Sequence, residues 1–241
     1  TKYETFELSV TVEQARPFFP ADLDPATLSH LQTWLGKTEL LTDDVQASAL
    51  RRWHATLDHA VASVAAGTSL PPLSHWLYFL PTYRHSELGE DGHPTRGGFL
   101  PPADNRNRMW AGGRIEFIQP LRVGGEASRV STIKHIEEKH GRTGALLFVT
   151  VQHDYLQDGQ LAIREEQDIV YIAMPDRFTP PPPVEAPAPD WREDVAVDEV
   201  RLFRFSALTF NTHRIHYDTN RVNNSTTKNN DFWIANVCET C

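Results

Sequence analysis

GALLFVTVQHDYLQDGQLAIREEQDIVYI, Gly144 to Ile172, decides the fold. GALLFVTV is a continuous apolar run of the length of a buried strand, and LAIREEQDIVYI returns to alternation. QDGQ separates them, and Asp158-Gly159 suits the left-handed backbone of a tight hairpin turn. Working outward, GRTG precedes this pair, and RIEFI, Arg114 to Ile118, alternates as well. Arg114 to Ile172 therefore reads as an antiparallel meander.

The first part of the chain reads as helical. Asp24 and Pro25 supply a cap and first-turn signal, and Gly36 a stop. Thr42-Asp43-Asp44 looks like the cap of a longer helix ended by Gly67, with Leu50, Trp53, Leu57, Val61 and Val64 forming one apolar stripe. His54 and His59 fall off that stripe and read as solvated. A long helix beside an antiparallel meander predicts the α+β class, with the helix packed on one face of the sheet.

HWLYFLP, His75 to Pro81, looks strand-like, and the Gly- and Pro-rich SELGEDGHPTRGGFLPPADNRNRMWAGG follows. Loops of that length without structure of their own commonly serve ligands. TPPPPVEAPAP, Thr179 to Pro189, is a stiff spacer, and VRLFRFSALTF after it alternates, placing Phe203, Phe205 and Ala207 on one side. The expected organisation is a domain over 1–176, a linker over 177–194, the start of a second β-containing unit over 195–222, and a divergent tail over 223–241. That second unit has too few residues to build a core alone.

With 241 residues, 40% hydrophobic and 23% charged, the composition is that of a globular protein with a sizeable core. A net charge of -9 excludes a general nucleic-acid binder, which needs a concentrated basic face. No apolar run has the length of a membrane span, and Thr1 begins no signal-peptide pattern. Cys238 and Cys241 are the only cysteines, so no disulfide framework holds the chain, and a cytoplasmic setting is expected (mitochondrial in a eukaryote). Their CxxC spacing lacks a second pair to complete a zinc site.

The chemistry concentrates in LTFNTHRIHYD, Leu208 to Asp218. A histidine titrates near neutrality and can take and return a proton, while an amide beside it can hold a water. Asn211, His213 and His216 so placed suit addition of water to a polarised double bond, with Asp218 orienting an imidazole or acting as a second base. An acyl thioester is a natural substrate, because its carbonyl stores the developing charge as an enolate. A metal held by His213, His216 and Asp218, and a plain polar loop, are the competing readings.

The chain resembles the MaoC-like double-hotdog acyl-thioester hydratases and dehydratases with a FAS1-like dehydratase N-terminal half. That group includes mesaconyl-C4-CoA and itaconyl-CoA hydratases and type-2 3-hydroxyacyl-thioester dehydratases. The carriers are WLGKTE, PPLSHWLYFLP, SELGEDGHPTRGGFLPP, RMWAGGRIEFIQPLRVGG, GRTGALLFVTVQHDY, LAIREEQDIVYI and FSALTFNTHRIHYD, in order. The resemblance implies a hotdog fold followed by an incomplete second hotdog, a hydro-lyase activity, a CoA- or carrier-linked substrate, no cofactor or metal, and a homodimer. Matched onto the family motif Asp-x-Asn-Pro-hydrophobic-His, His216 takes the catalytic histidine position and Asn211 the aspartate position. His213 and Arg214 stand where the motif has Asn and Pro, and His213 or Asp218 is expected to supply the missing proton-transfer group. The resemblance further implies acyl-pocket walls from the HWLYFLP face, Trp76 and Tyr78 among them, and phosphate contacts from Arg96, Arg106, Arg108 and Arg114. The Gly-rich turn, His-Gly signal and central helix of the family are not found after Asp218. Weak or absent activity of this chain alone, or a non-catalytic acyl-thioester-binding or assembly role, is the corresponding expectation; a metal hydrolase is a third.

Overall fold

The computed structural model describes residues 5–9, 23–60, 63–95, 97–103, 107–141, 144–172 and 196–216. Arg96, Arg106, Asp218, both cysteines, the proline-rich spacer and the tail lie outside the described residues. The chain divides into two compact units, each discontinuous in sequence. One comprises Thr1–Asp43, Thr95–Leu121 and Glu126–Pro181; the other comprises Asp44–Pro94, Arg122–Gly125 and Pro182–Cys241.

The first unit is built on a six-stranded sheet of β1 (Thr5–Ser9), β2 (Thr38–Asp44), β3 (Asn107–Phe117), β4 (Glu126–Gly141), β5 (Gly144–Gln157) and β6 (Gln160–Ile172), ordered β1-β3-β6-β5-β4-β2. β1–β3, β3–β6, β6–β5 and β5–β4 pair antiparallel. Asp158 and Gly159 both carry positive φ, 53° and 73°, as the hairpin between β5 and β6 requires. Register then places Leu147 opposite Tyr171 and Val149 opposite Ile169. On β4 the register shifts between Ile133 and His135, so that Ile133 and Ile136, three apart, face Val151 and Val149. Without that extra residue Ile136 would point to the opposite face.

Helix α1 (Pro25–Gln32) packs on this buried face through Leu31. Asp24 caps it, accepting from the N–H groups of Ala26 and Thr27, each at 3.0 Å. Leu31, Ala103, Ile133, Ile136, Leu147, Val149, Val151 and Tyr171 form one buried cluster. The sheet-and-helix arrangement is the α+β architecture expected. Glu165 is buried on β6, where the Tyr155 hydroxyl donates to it at 2.9 Å and the Gln167 amide at 2.6 Å. Beside the core, partly exposed charges pair across strands: Arg114 with Glu166 and Asp168, and Arg164 with Asp154.

The second unit holds α2 (Ala47–Thr56), 3-10 turns at Ser74–Leu77, His85–Glu87 and Arg214–His216, and α3 (Glu199–Leu208). Four expectations are corrected here. Thr42–Asp44 belong to β2, and α2 stops at Thr56, before a left-handed Asp58, well short of Gly67. HWLYFLP forms a buried 3-10 turn flanked by left-handed Leu73 and Phe79. Residues 73–75 and 77–79 are all buried, so there is no solvent face for alternation to describe, and prolines at 71, 72 and 81 remove ladder donors. VRLFRFSALTF is helical. Asp198 caps α3 by accepting from the Arg201 N–H at 2.7 Å, and half-buried positions fall at 201, 202, 205, 206, 208 and 209, a helical period facing α2. His54 is half-buried against Trp53 rather than solvated, and burial lowers its pKa, while His59 is exposed as expected.

Leu147 is fully buried, so Leu147→Ala should cost about 2–5 kcal/mol in chemical denaturation. Arg164→Ala, on the exposed charge ladder, should cost under about 1 kcal/mol. Equal losses would contradict this division between core and ladder.

Candidate functional site

The stretch that carries the chemistry leaves α3 through a tight reversal. The Phe210 N–H donates to the Ala207 carbonyl at 3.3 Å and the Asn211 N–H to that of Ser206 at 2.8 Å, with Phe210 at φ 49°. This is a Schellman closure with phenylalanine at the left-handed position that glycine usually fills. It delivers Asn211 directly past the helix end.

Asn211 in turn organises residues 213 to 216. Its Oδ1 accepts from the His213 N–H at 3.0 Å, which turns its amide nitrogen toward His216 Nε2 at 3.2 Å. An amide nitrogen can only donate, so His216 Nε2 presents its lone pair and the ring proton sits on Nδ1. Burial lowers the pKa of His216, favouring that neutral form. The His216 N–H closes the 3-10 turn onto the His213 carbonyl at 3.1 Å, and the two rings meet edge to face with centroids 5.9 Å apart.

A second stretch of the same unit, the GEDGHP part of the long loop, meets these residues. The Arg214 N–H donates to the Asp91 carbonyl at 2.9 Å, and Thr212 Oγ1 donates to the Gly92 carbonyl at 2.6 Å. The Arg214 guanidinium adds a bond to the Glu90 carbonyl at 3.3 Å. Gly92 is required twice over: its φ is +84°, and a Cβ there would overlap the Thr212 carbonyl.

This contact brings in two residues that sequence reasoning did not single out. Asp91 Oδ1 accepts from the His93 N–H at 3.0 Å, and its Oδ2 lies 3.3 Å from His93 Nδ1. The His93 and His213 rings have centroids 4.2 Å apart. Burial raises the Asp91 carboxyl, but the His93 N–H, the charge and ring of His93 and the charge of His213 outweigh it, leaving a pKa below the ordinary value. The available signal was the Asp-Gly-His triplet inside a loop too long to be a simple connection.

The structure therefore brings Asn211, His213 and His216 together and adds Asp91 and His93. Tyr78 is buried, and its hydroxyl donates to the Gln46 carbonyl at 2.9 Å; Trp76 is half-buried beside His75. Arg108 is half-buried on β3 in the first unit, and Arg114 on the same strand is held by Glu166 and Asp168, which raise its pKa.

A model of the hydroxyacyl-thioester dehydratase type 2 family matches residues 73–225, a span that holds every member of this cluster. The chain belongs to that family. Its relatives include the mesaconyl-C(4)-CoA hydratase of Chloroflexus aurantiacus, 48% identical over 187 residues, or 77% of this chain and 67% of the relative. The mitochondrial hydroxyacyl-thioester dehydratase type 2 of Schizosaccharomyces pombe is 25% identical over 174 residues, 63% of this chain and 58% of that protein. A MaoC-like dehydratase from Phytophthora capsici is a similar solved structure, at 12% identity and a TM-score of 0.49 over 81% of this chain and 68% of that one. This family member thus spans about two thirds, or somewhat less, of the two sequence relatives.

His216 in the whole chain should titrate below its ordinary 6.5 when followed by imidazole NMR. The unfolded chain then binds the extra proton first, so the stability contributed by neutral His216 is lost as pH falls below about 6.5. A midpoint at or above 6.5 would contradict the burial. Gly92→Ala should cost roughly 1–3 kcal/mol of stability, and an unchanged denaturation midpoint would contradict the close approach to Thr212.

Proposed function

We propose that the chain is a hydro-lyase that adds water reversibly across the double bond adjacent to an acyl thioester. The carrying observation is the neutral His216 imidazole, its Nε2 lone pair directed at the Asn211 amide, inside the span matched by the dehydratase family. Water that displaces the Asn211 amide from Nε2, and is then held by that amide, would lose a proton to Nε2 as its oxygen bonds to the β-carbon. The electron pair of the double bond moves to the thioester as an enolate. The imidazolium then returns the proton to the α-carbon, so that one water is added and the base is regenerated. Dehydration is the reverse.

Asn211 cannot donate an ionisable proton, so it serves as the group that positions water. Ionised Asp91 beside His93 and His213 favours positive charge in this cluster and supports a transient imidazolium. The likeness to a mesaconyl-C(4)-CoA hydratase supports a CoA thioester of a short branched dicarboxylic acid as substrate. Arg108, and Arg96, Arg106 and Asp218 outside the described residues, stay in this reading as CoA-binding and proton-transfer groups; Trp76 and Tyr78 stay as pocket walls. Arg114 joins them only by exchanging its carboxylate partners for phosphate. The reaction so written calls for no cofactor. We further propose a homodimer and a cytoplasmic setting. No helix among the described residues is long and apolar enough to cross a membrane.

The test monitors the enoyl-thioester absorbance of mesaconyl-C4-CoA and a simple enoyl-CoA with the purified chain. Turnover should fall about 10²–10⁴-fold in His216→Ala. Full activity in that variant would remove His216 from the mechanism. Binding of acyl-CoA by the parent chain without any turnover would favour the non-catalytic binding role instead.

A further inference from the structure

We propose that Asp91, His93 and His213 form a binding site for one divalent transition-metal ion of the zinc type. One ligand atom from each of the three side chains lies within 4.8 Å of the other two. Tetrahedral ligation at about 2.0–2.1 Å places donor atoms roughly 3.3–3.5 Å apart. The Asp91 Oδ2 to His93 Nδ1 separation is already 3.3 Å, so closure requires the remaining donors to move inward by on the order of 1 Å.

The donor set selects the ion. Two imidazoles with one carboxylate suit zinc, cobalt or nickel, whereas calcium and magnesium want an all-oxygen shell. Asp91 is prepared for the role, because the His93 N–H already occupies Oδ1 and fixes the orientation of Oδ2. The frame beneath is held by the Arg214–Asp91 and Thr212–Gly92 bonds and by a turn in which the Gly89 N–H donates to the His93 carbonyl at 2.7 Å. All three side chains are half-buried, and three protein ligands are the number that catalytic zinc sites use, with water or a ligand oxygen as the fourth. This set differs from the His213, His216 and Asp218 grouping suggested by spacing along the chain. It draws Asp91 and His93 from a loop 120 residues away and leaves His216 out.

The experiment titrates the chelator-treated full chain with Zn²⁺ by calorimetry and with Co²⁺ by visible absorption. One equivalent should bind, with the ligand-field bands of low-coordinate Co²⁺. His93→Ala and His213→Ala should each weaken binding by at least about 10–100-fold, the size of loss that even supporting groups of metal sites produce. Asp91→Asn, nearly isosteric, should weaken it likewise and serves if an alanine variant does not fold. His216→Asn and the Cys238→Ser/Cys241→Ser double variant should bind as the parent does. No binding at micromolar metal overturns the proposal. So does binding that survives loss of His93 and His213, or that disappears with the two cysteines. The readout is metal binding alone, so its failure is separate from failure of the hydro-lyase reading, which is read in turnover of the chelated chain.

Discussion

A single backbone hydrogen bond, from the Arg214 N–H to the Asp91 carbonyl, is the joint on which the site depends. With the Thr212–Gly92 bond beside it, it fastens residues 120 positions apart. Separately, each stretch is a polar loop with too few apolar residues to order itself. Closing so long a loop costs entropy that these two hydrogen bonds and the Arg214 guanidinium bond to Glu90 offset poorly, each contributing about 0.5–1.5 kcal/mol net. The closure therefore draws on packing elsewhere in the unit, where α3 lies against α2 and residues such as Leu50 and Trp53 are buried. Fold and chemistry meet at that joint, because the groups it unites are the titratable ones.

Those groups are held in different charge states. Burial lowers the His216 pKa and so favours its neutral form, while hydrogen bonds and neighbouring imidazoles hold the Asp91 carboxyl below its ordinary value. A base that starts uncharged and a carboxylate that stays charged are what proton transfer at neutral pH requires. In the proposed reaction, the carboxylate lacking at position 211 comes from Asp91 of the distant loop.

The fold was legible wherever one period governed a stretch. β5 follows from its continuous apolar run, β6 from alternation, and the Asp158-Gly159 turn from the two positive φ values it demands. The Asp24 cap of α1 was equally plain. Legibility failed where two periods fitted the same letters. Phe203, Phe205 and Ala207 alternate on paper, yet the Asp198 cap and the packing of Phe205 and Leu208 make that stretch a helix. HWLYFLP failed differently, because a segment in which His75, Leu77, Tyr78 and Phe79 are all buried has no amphipathic pattern to read. In the site, Asn211, His213 and His216 announced themselves by proximity in sequence. Asp91 and His93 did not, since only a long-range contact gives them meaning, and no local pattern encodes it.

The joint itself is most directly tested by nuclear Overhauser contacts between the ring protons of His93 and His213 in the whole chain in solution. Rings with centroids 4.2 Å apart should give strong cross-peaks, together with slow hydrogen exchange at the Arg214 amide. Absent cross-peaks and an Arg214 amide exchanging at the unstructured rate would mean that the two stretches do not meet, and the site described would not exist.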